Sequence, residues 1–185
     1  MIYTSGTTGK PKGALRTTTD PALVFAMLQE LRLQPDESVL EVGAGSGYMA
    51  ALMAHQAARV TALEIRPALA AMARANLQRA GIGTAQVIEA DGAKGHAAQA
   101  PFDAIVLSGS VADVPATLLA QLKVGGRLVA IVGQEPVMRA LLVTRITEHQ
   151  YKRVELFDTV APRLDGFGDT GYELYVRLVP LIRFT

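Results

Sequence analysis

Val39-Leu40-Glu41-Val42-Gly43-Ala44-Gly45-Ser46-Gly47-Tyr48 decides the fold of this chain. Four residues of strand character end next to an acid and run into three glycines at alternate positions. A helix-forming run, Met49-Ala50-Ala51-Leu52-Met53-Ala54, follows at once. A strand that becomes a helix through glycines leaves backbone N–H groups uncovered and lets a ligand lie against the main chain. Nucleotides are held in this way at the first crossover of an α/β sheet. The dinucleotide fingerprint has its third small residue three positions after the second glycine; here that position is Tyr48, so the spacing is G-x-G-x-G. For the glycine run taken alone, the alternative is a tight strand-to-helix turn with no ligand.

Working outward, Asp20 suits a helix N-cap and Pro21 the first helical position, with Val24, Met27, Leu28 and Leu31 on one face. Pro35-Asp36 marks a turn and Ser38 to Val42 the first strand. Arg59 to Leu63 is a second strand ended by Glu64. Pro67 opens a helix with Leu69, Met72, Ala73, Asn76, Leu77 and Ala80 on one side and Gly81 at its end. Ala85 to Ala90 is a third strand, followed by Asp91-Gly92, and Phe102 to Leu107 a fourth, continuously apolar as a buried parallel strand is. Pro115 to Leu122 reads as a helix, Gly125-Gly126 as a turn and Arg127 to Val132 as a fifth strand. Strands alternating with helices at this interval predict an α/β fold with a doubly wound, mostly parallel sheet. Past Gly133, the segments Ala140 to Ile146, Arg153 to Val160 and Leu174 to Leu181 are strand-like with little helix between them, which predicts an antiparallel edge.

The 185 residues suffice for one domain with a proper core. Half of them are apolar, and the net charge of +1 gives no strong basic field for nucleic acid. Without cysteine there is no thiolate chemistry, and His55, His96 and His149 lack metal-ligand spacing. Neither a membrane span nor a signal core is visible. The expectation is a cytoplasmic domain acting without nucleic acid, membrane or metal; its oligomeric state is left open.

G-x-G-x-G preceded by Glu41 is the pattern of S-adenosylmethionine-dependent methyltransferases, whose fold is Rossmann-like. Three carboxylates fall where strands end, and ligands of open α/β sheets bind outside those ends. Glu41 is placed to face the ligand's ammonium group through water. Glu64, 17 residues after Gly47, stands where an acid accepts both ribose hydroxyls. Asp91 is placed to accept from the adenine amino group, with Gly92 allowing close approach. Carboxylates serve a cationic sulfonium and a diol, whereas a pyrophosphate would meet like charge.

From Thr17 onwards the chain resembles the protein-L-isoaspartate O-methyltransferase family. The resemblance is carried by the glycine stretch with its aromatic Tyr48, by Val60 to Ile65, by Asp91-Gly92-Ala93-Lys94-Gly95, and by Ala100 to Leu107. Gln121-Leu122-Lys123-Val124-Gly125-Gly126-Arg127-Leu128-Val129 and Val176 to Leu181 add to it. It implies methylation of a carboxyl group on a protein or peptide, with S-adenosylmethionine as donor and S-adenosylhomocysteine as product. It further implies a cofactor site formed by Glu41, Gly43, Ala44, Gly45, Ser46, Gly47, Tyr48, Glu64, Ile65, Asp91, Gly92 and Ser108. The family's Thr-Ile-Ser-Gln-Pro motif aligns with Thr17-Thr18-Thr19-Asp20-Pro21, so Thr19 takes the position of the hydroxyl beside the transferred methyl. Ser108-Gly109-Ser110-Val111 replaces the small residues common after the fourth strand. A carboxylate acceptor needs no general base; an amine or phenol acceptor would want one, for which His55 and His96 are the nearby candidates in sequence, both expected at the surface.

Residues 1–16 stand apart. Tyr3 to Gly13 is similar to the phosphate-binding loop of adenylate-forming enzymes. Those enzymes also have a C-terminal domain with a catalytic lysine, which is not found here. Residues 1–16 are therefore read as an extension of uncertain role before a methyltransferase-like domain over 17–185. Two alternatives remain: a shortened, non-catalytic S-adenosylmethionine-binding domain, and ATP or AMP binding through Ser5 to Lys12.

Overall fold

Two apolar layers sandwich one sheet, and the alternation of side chains along the central strands shows how. The computed structural model describes residues 20–168. In β1 (Ser38–Val42), Val39 faces one core while Leu40 and Val42 face the other. In β4 (Phe102–Val111), Ala104 and Val106 join Val39, while Ile105 and Leu107 join Leu40. This period-2 division places apolar residues on both faces, as a strand buried on both sides requires.

The first layer is built by α1 (Pro21–Leu31), α2 (Tyr48–Ala54) and α3 (Pro67–Arg79). Asp20 caps α1 by accepting from the Ala22 N–H at 3.0 Å, and Val24, Met27, Leu28 and Leu31 are its buried face. The buried stripe of α3 is Leu69, Ala70, Ala73 and Leu77. Met72, expected in the core, is exposed, because the small Ala70 and Ala73 bring the helix close to the sheet along a narrower line. Strands β2 (Arg59–Glu64) and β3 (Ala85–Glu89) pair parallel to each other, and β2 pairs parallel to β1.

The second layer is thinner. The helix expected over Pro115 to Leu122 is a single turn, α4 (Ala116–Leu119). Leu122 instead enters β5 (Leu122–Gln134), opposite Phe102. The Gly125-Gly126 turn lies inside this strand. The register jumps from Phe102–Leu122 to Ala104–Arg127, so the residues between loop out as a bulge. β4 runs on through Ser108-Gly109-Ser110-Val111, also with a register shift, so these residues belong to the strand itself.

Hairpin strands β6 (Val137–Arg145) and β7 (Tyr151–Thr159) are antiparallel, as expected, and complete a sheet of order β3-β2-β1-β4-β5-β6-β7. Order reverses between β1 and β4, and that switch opens a crevice at the carboxyl ends. The strand expected over Leu174 to Leu181, the loop Ser5 to Lys12 and Thr19 lie outside the described residues. Among the described residues no helix is long and apolar enough to cross a membrane.

Arg127 locks α1 to the sheet. Its guanidinium donates to the carbonyls of Leu31 and Arg32, which end α1, and pairs with Glu37; the two side chains are largely buried. It thereby satisfies helix-end carbonyls that have no partner within the helix. Burial alone would raise the Glu37 carboxyl, but hydrogen bonds from Arg127 and the Gln34 N–H, with the Arg127 charge, hold it below its ordinary 4.5. Removing one partner strands the other, at a cost of about 3 kcal/mol. Arg127→Ala is accordingly predicted to lower Tm by about 10 °C in thermal unfolding; a shift of less than about 2 °C would show the lock to be dispensable.

Candidate active site at the switch in strand order

Gly43 leaves β1 at φ +89°, and Gly47 enters α2 at φ +81°. These left-handed conformations suit glycine alone among ordinary residues. Space imposes a second demand at Gly47, where a Cβ would lie 3.2 to 3.3 Å from the backbone and side chain of Ala73. The loop therefore packs on α3, and Asn76 secures it by donating to the Ser46 carbonyl at 2.7 Å.

The N–H groups of this loop are mostly committed, contrary to the expectation that they lie uncovered. Gly43 and Ala44 both donate to the Leu63 carbonyl, at 2.8 and 3.0 Å, and Gly47 donates to Ala44 at 2.7 Å. Gly45 donates to Glu64 Oε2 at 2.9 Å. With four of its N–H groups engaged, the loop offers a phosphate few backbone donors.

Glu41 is wholly buried, yet it borders the crevice. Ser108 donates to its Oε1 at 2.6 Å. Its Oε2 makes no hydrogen bond of ordinary geometry among the described residues, although the Ala50 N–H at the start of α2 lies near the carboxylate. Burial pushes the carboxyl from its ordinary 4.5 up to about 7, and the Glu64 charge adds to this; the Ser108 hydroxyl and the nearby Ala50 N–H pull the other way. Glu64, at the end of β2, accepts from Gly45 through one oxygen and from Arg66 N–H through the other, both at 2.9 Å. A carboxylate oxygen has two lone pairs, so each retains capacity for a further donor.

The crevice encloses about 150 Å³. Of the residues expected there, Glu41, Gly43, Ala44, Gly45, Ser46 and Tyr48 line it from β1 and the glycine loop. Glu64 and Ile65 line it from the end of β2, with Gly92 and Ser108 facing them from beyond β3 and from β4. Gly47 does not line it, because it is pressed on Ala73. Nor does Asp91: its Oδ1 turns back to accept from the Ala93 N–H at 3.0 Å, capping a short 3₁₀ turn. Gly92 itself is pressed on Val42, with no room for a Cβ.

The sequence reading missed part of the wall. Leu23, Val24 and Met27 of α1 line the crevice as well as feeding the core, so helical periodicity alone assigned Val24 and Met27 to the core. Pro162, Arg163, Leu164 and Asp165, from the segment after β7, also line it. They carry no periodicity or motif that could have announced them.

A seven-stranded sheet with the glycine loop at its switch point and an antiparallel edge defines a Rossmann-like methyltransferase. One solved structure, titled protein-L-isoaspartate O-methyltransferase, superposes with a TM-score of 0.75 at 25% identity, over 90% of this chain and 53% of its own. A second, from Plasmodium falciparum and solved with S-adenosyl-L-homocysteine, gives a TM-score of 0.68 at 21% identity over 89% of this chain and 79% of its own; it bears on the fold alone. A protein-L-isoaspartate O-methyltransferase of Rhodopseudomonas palustris is 43% identical over 149 residues, which is 80% of this chain and 68% of that protein. Protein-L-isoaspartate O-methyltransferase 2 of Marinobacter nauticus is 42% identical over 173 residues, or 93% and 71%. The family profile Protein-L-isoaspartate(D-aspartate) O-methyltransferase matches residues 7–159. The chain belongs to this family.

Glu41 also gives the site a signature in stability. Its folded value lies above the unfolded one, so the folded state holds this proton more tightly; the contribution is complete below about pH 4.5 and is lost as pH rises through about 7. The interval corresponds to roughly 3 kcal/mol as an upper bound. Glu41→Gln is therefore expected to match the parent near pH 4 and to exceed it in Tm at pH 8, while Ser108→Ala extends the parent's decline to higher pH. Parallel pH profiles of the Glu41→Gln variant and the parent would contradict this assignment.

Proposed function

We propose that this chain is an S-adenosylmethionine-dependent methyltransferase that methylates a carboxyl group, of the isoaspartyl kind, on a protein or peptide. The observation that carries the reading is the buried Glu41 oxygen that makes no hydrogen bond of ordinary geometry, at the edge of a crevice whose glycine loop has committed most of its N–H groups. A buried acceptor of this kind is costly unless a donor reaches it. The α-ammonium of S-adenosylmethionine is such a donor, so the residues fit this cofactor and are ill-suited to a phosphate.

When bound, the cofactor supplies a methyl group on a sulfonium, activated for backside displacement. In this reading Glu41 holds the ammonium end, with Ser108 fixing the carboxylate's orientation. Glu64, still able to accept, takes the ribose hydroxyls, and Ile65 and Gly92 flank the adenine. Asp91 must turn from its cap on Ala93 to reach an adenine amino group. Gly43, Ala44, Gly45 and Ser46 form the floor, Gly47 sets the loop against α3, and Tyr48 stands at the rim. Leu23, Val24 and Met27 exclude water from one wall. Thr19 is assigned the hydroxyl beside the methyl.

The acceptor carboxylate is already a nucleophile at neutral pH. The chain's task is then to align it with the bond being broken and to strip its water, and alignment alone can supply about 7 kcal/mol or more. No proton has to be taken by a side chain.

With labelled S-adenosylmethionine, the protein is expected to place base-labile label on an isoaspartyl peptide and far less on the same peptide with ordinary aspartate. Binding of the cofactor without transfer to either peptide would favour the non-catalytic binding module instead.

A further inference from the structure

After β7 the chain turns back and crosses the carboxyl ends of five strands in spatial order. Arg163 donates to the Gly133 carbonyl in β5 at 2.9 Å. Ser110 of β4 donates its N–H to Pro162 at 2.8 Å and accepts from the Leu164 N–H at 2.9 Å. Leu164 then lies on the exit of β1: a Cβ on Gly43 would sit 2.6 Å from its Cδ2, and one on Gly109 2.8 Å from the same atom. Asp165 pairs with Arg66, just past β2, at 2.6 Å. Gly166 lies over the residues that follow β2 and β3, where a Cβ would meet Asp91 Oδ1 at 2.7 Å and Ile65 Cδ1 at 3.4 Å.

This path covers the floor assigned above to the cofactor, from the ammonium end at Gly43 to the adenine end at Asp91 and Ile65. About 150 Å³ remains, whereas clefts that bury drug-sized ligands hold roughly 300–1,000 Å³. Resting on the cofactor reading, we propose that residues 163–168 form a strap that occupies the cofactor trough, with Leu164 as its plug, and that cofactor binding displaces it. The tether is light enough for such movement. Beyond the two backbone hydrogen bonds at Ser110, the far half is held by apolar contacts of the partly buried Leu164 and Phe167 and by an ion pair whose side chains are about half exposed. Exposed pairs of this kind add little. Pro162, which accepts from the Ser110 N–H, is the fixed end; Leu164 to Phe167 is the part that moves, and its movement releases the Leu164 N–H from Ser110.

A closed strap divides the intrinsic affinity by the open fraction, so loosening it tightens binding. Calorimetric titration of the full chain with S-adenosylhomocysteine is expected to show Leu164→Ala binding about tenfold more tightly than the parent. Asp165→Asn, a surface change with little risk to the fold, is expected to bind about two- to threefold more tightly. Amide hydrogen exchange over 164–167 is expected to speed up on binding. Unchanged or weaker binding by both variants, or slower exchange in the complex, would overturn the strap and make this segment a wall that closes on the ligand. Absence of binding to all three proteins at millimolar ligand would remove the cofactor reading itself, and the strap with it.

Discussion

A carboxylate buried at the exit of the first strand is the constraint on which this structure turns. Its neighbours in β1, Leu40 and Val42, are apolar and buried. The chain nonetheless keeps the acid there, gives one oxygen to Ser108 and leaves the other without a hydrogen bond of ordinary geometry among the described residues. Such an arrangement costs stability once the group ionises. A ligand bearing a positive amine relieves that cost, so the same feature that weakens the free protein near neutral pH favours the complex.

The rest of the site is arranged to place that acid and to exclude the wrong charge. Glu64 joins the glycine loop to the turn after β2 by accepting one N–H from each. The Leu63 carbonyl takes two more N–H groups from the same loop. A loop of this sequence is often read as an anion cradle, but here the N–H groups of Gly43, Ala44, Gly45 and Gly47 are taken by the protein itself.

The architecture was legible in the sequence where one local rule acted alone. The apolar face of α1, its Asp20 cap, the limits of β1 and the antiparallel edge follow from periodicity and capping. Legibility failed where a long-range partner decided the outcome. Leu122 is taken from a helix by pairing with Phe102, the Gly125-Gly126 turn becomes a bulge in a strand, and Met72 is left outside because two alanines set the packing distance. In the site, residue types at strand ends pointed to Glu41 and Glu64, which both line the crevice, but not to the turn of Asp91 away from it to cap Ala93. Leu164 was invisible for a related reason: its place follows from a crossing over five strands that no local pattern encodes.

The central claim is that Glu41 receives the ammonium group of the ligand as a carboxylate. Titration of the full chain with S-adenosylhomocysteine at pH 6 and pH 8, in buffers of different ionisation enthalpy, tests it most directly. With a free-state value of about 7, affinity should be about tenfold higher at pH 8, and binding at pH 6 should release close to one proton. An affinity that does not change between the two pH values, with no proton released, would contradict the account.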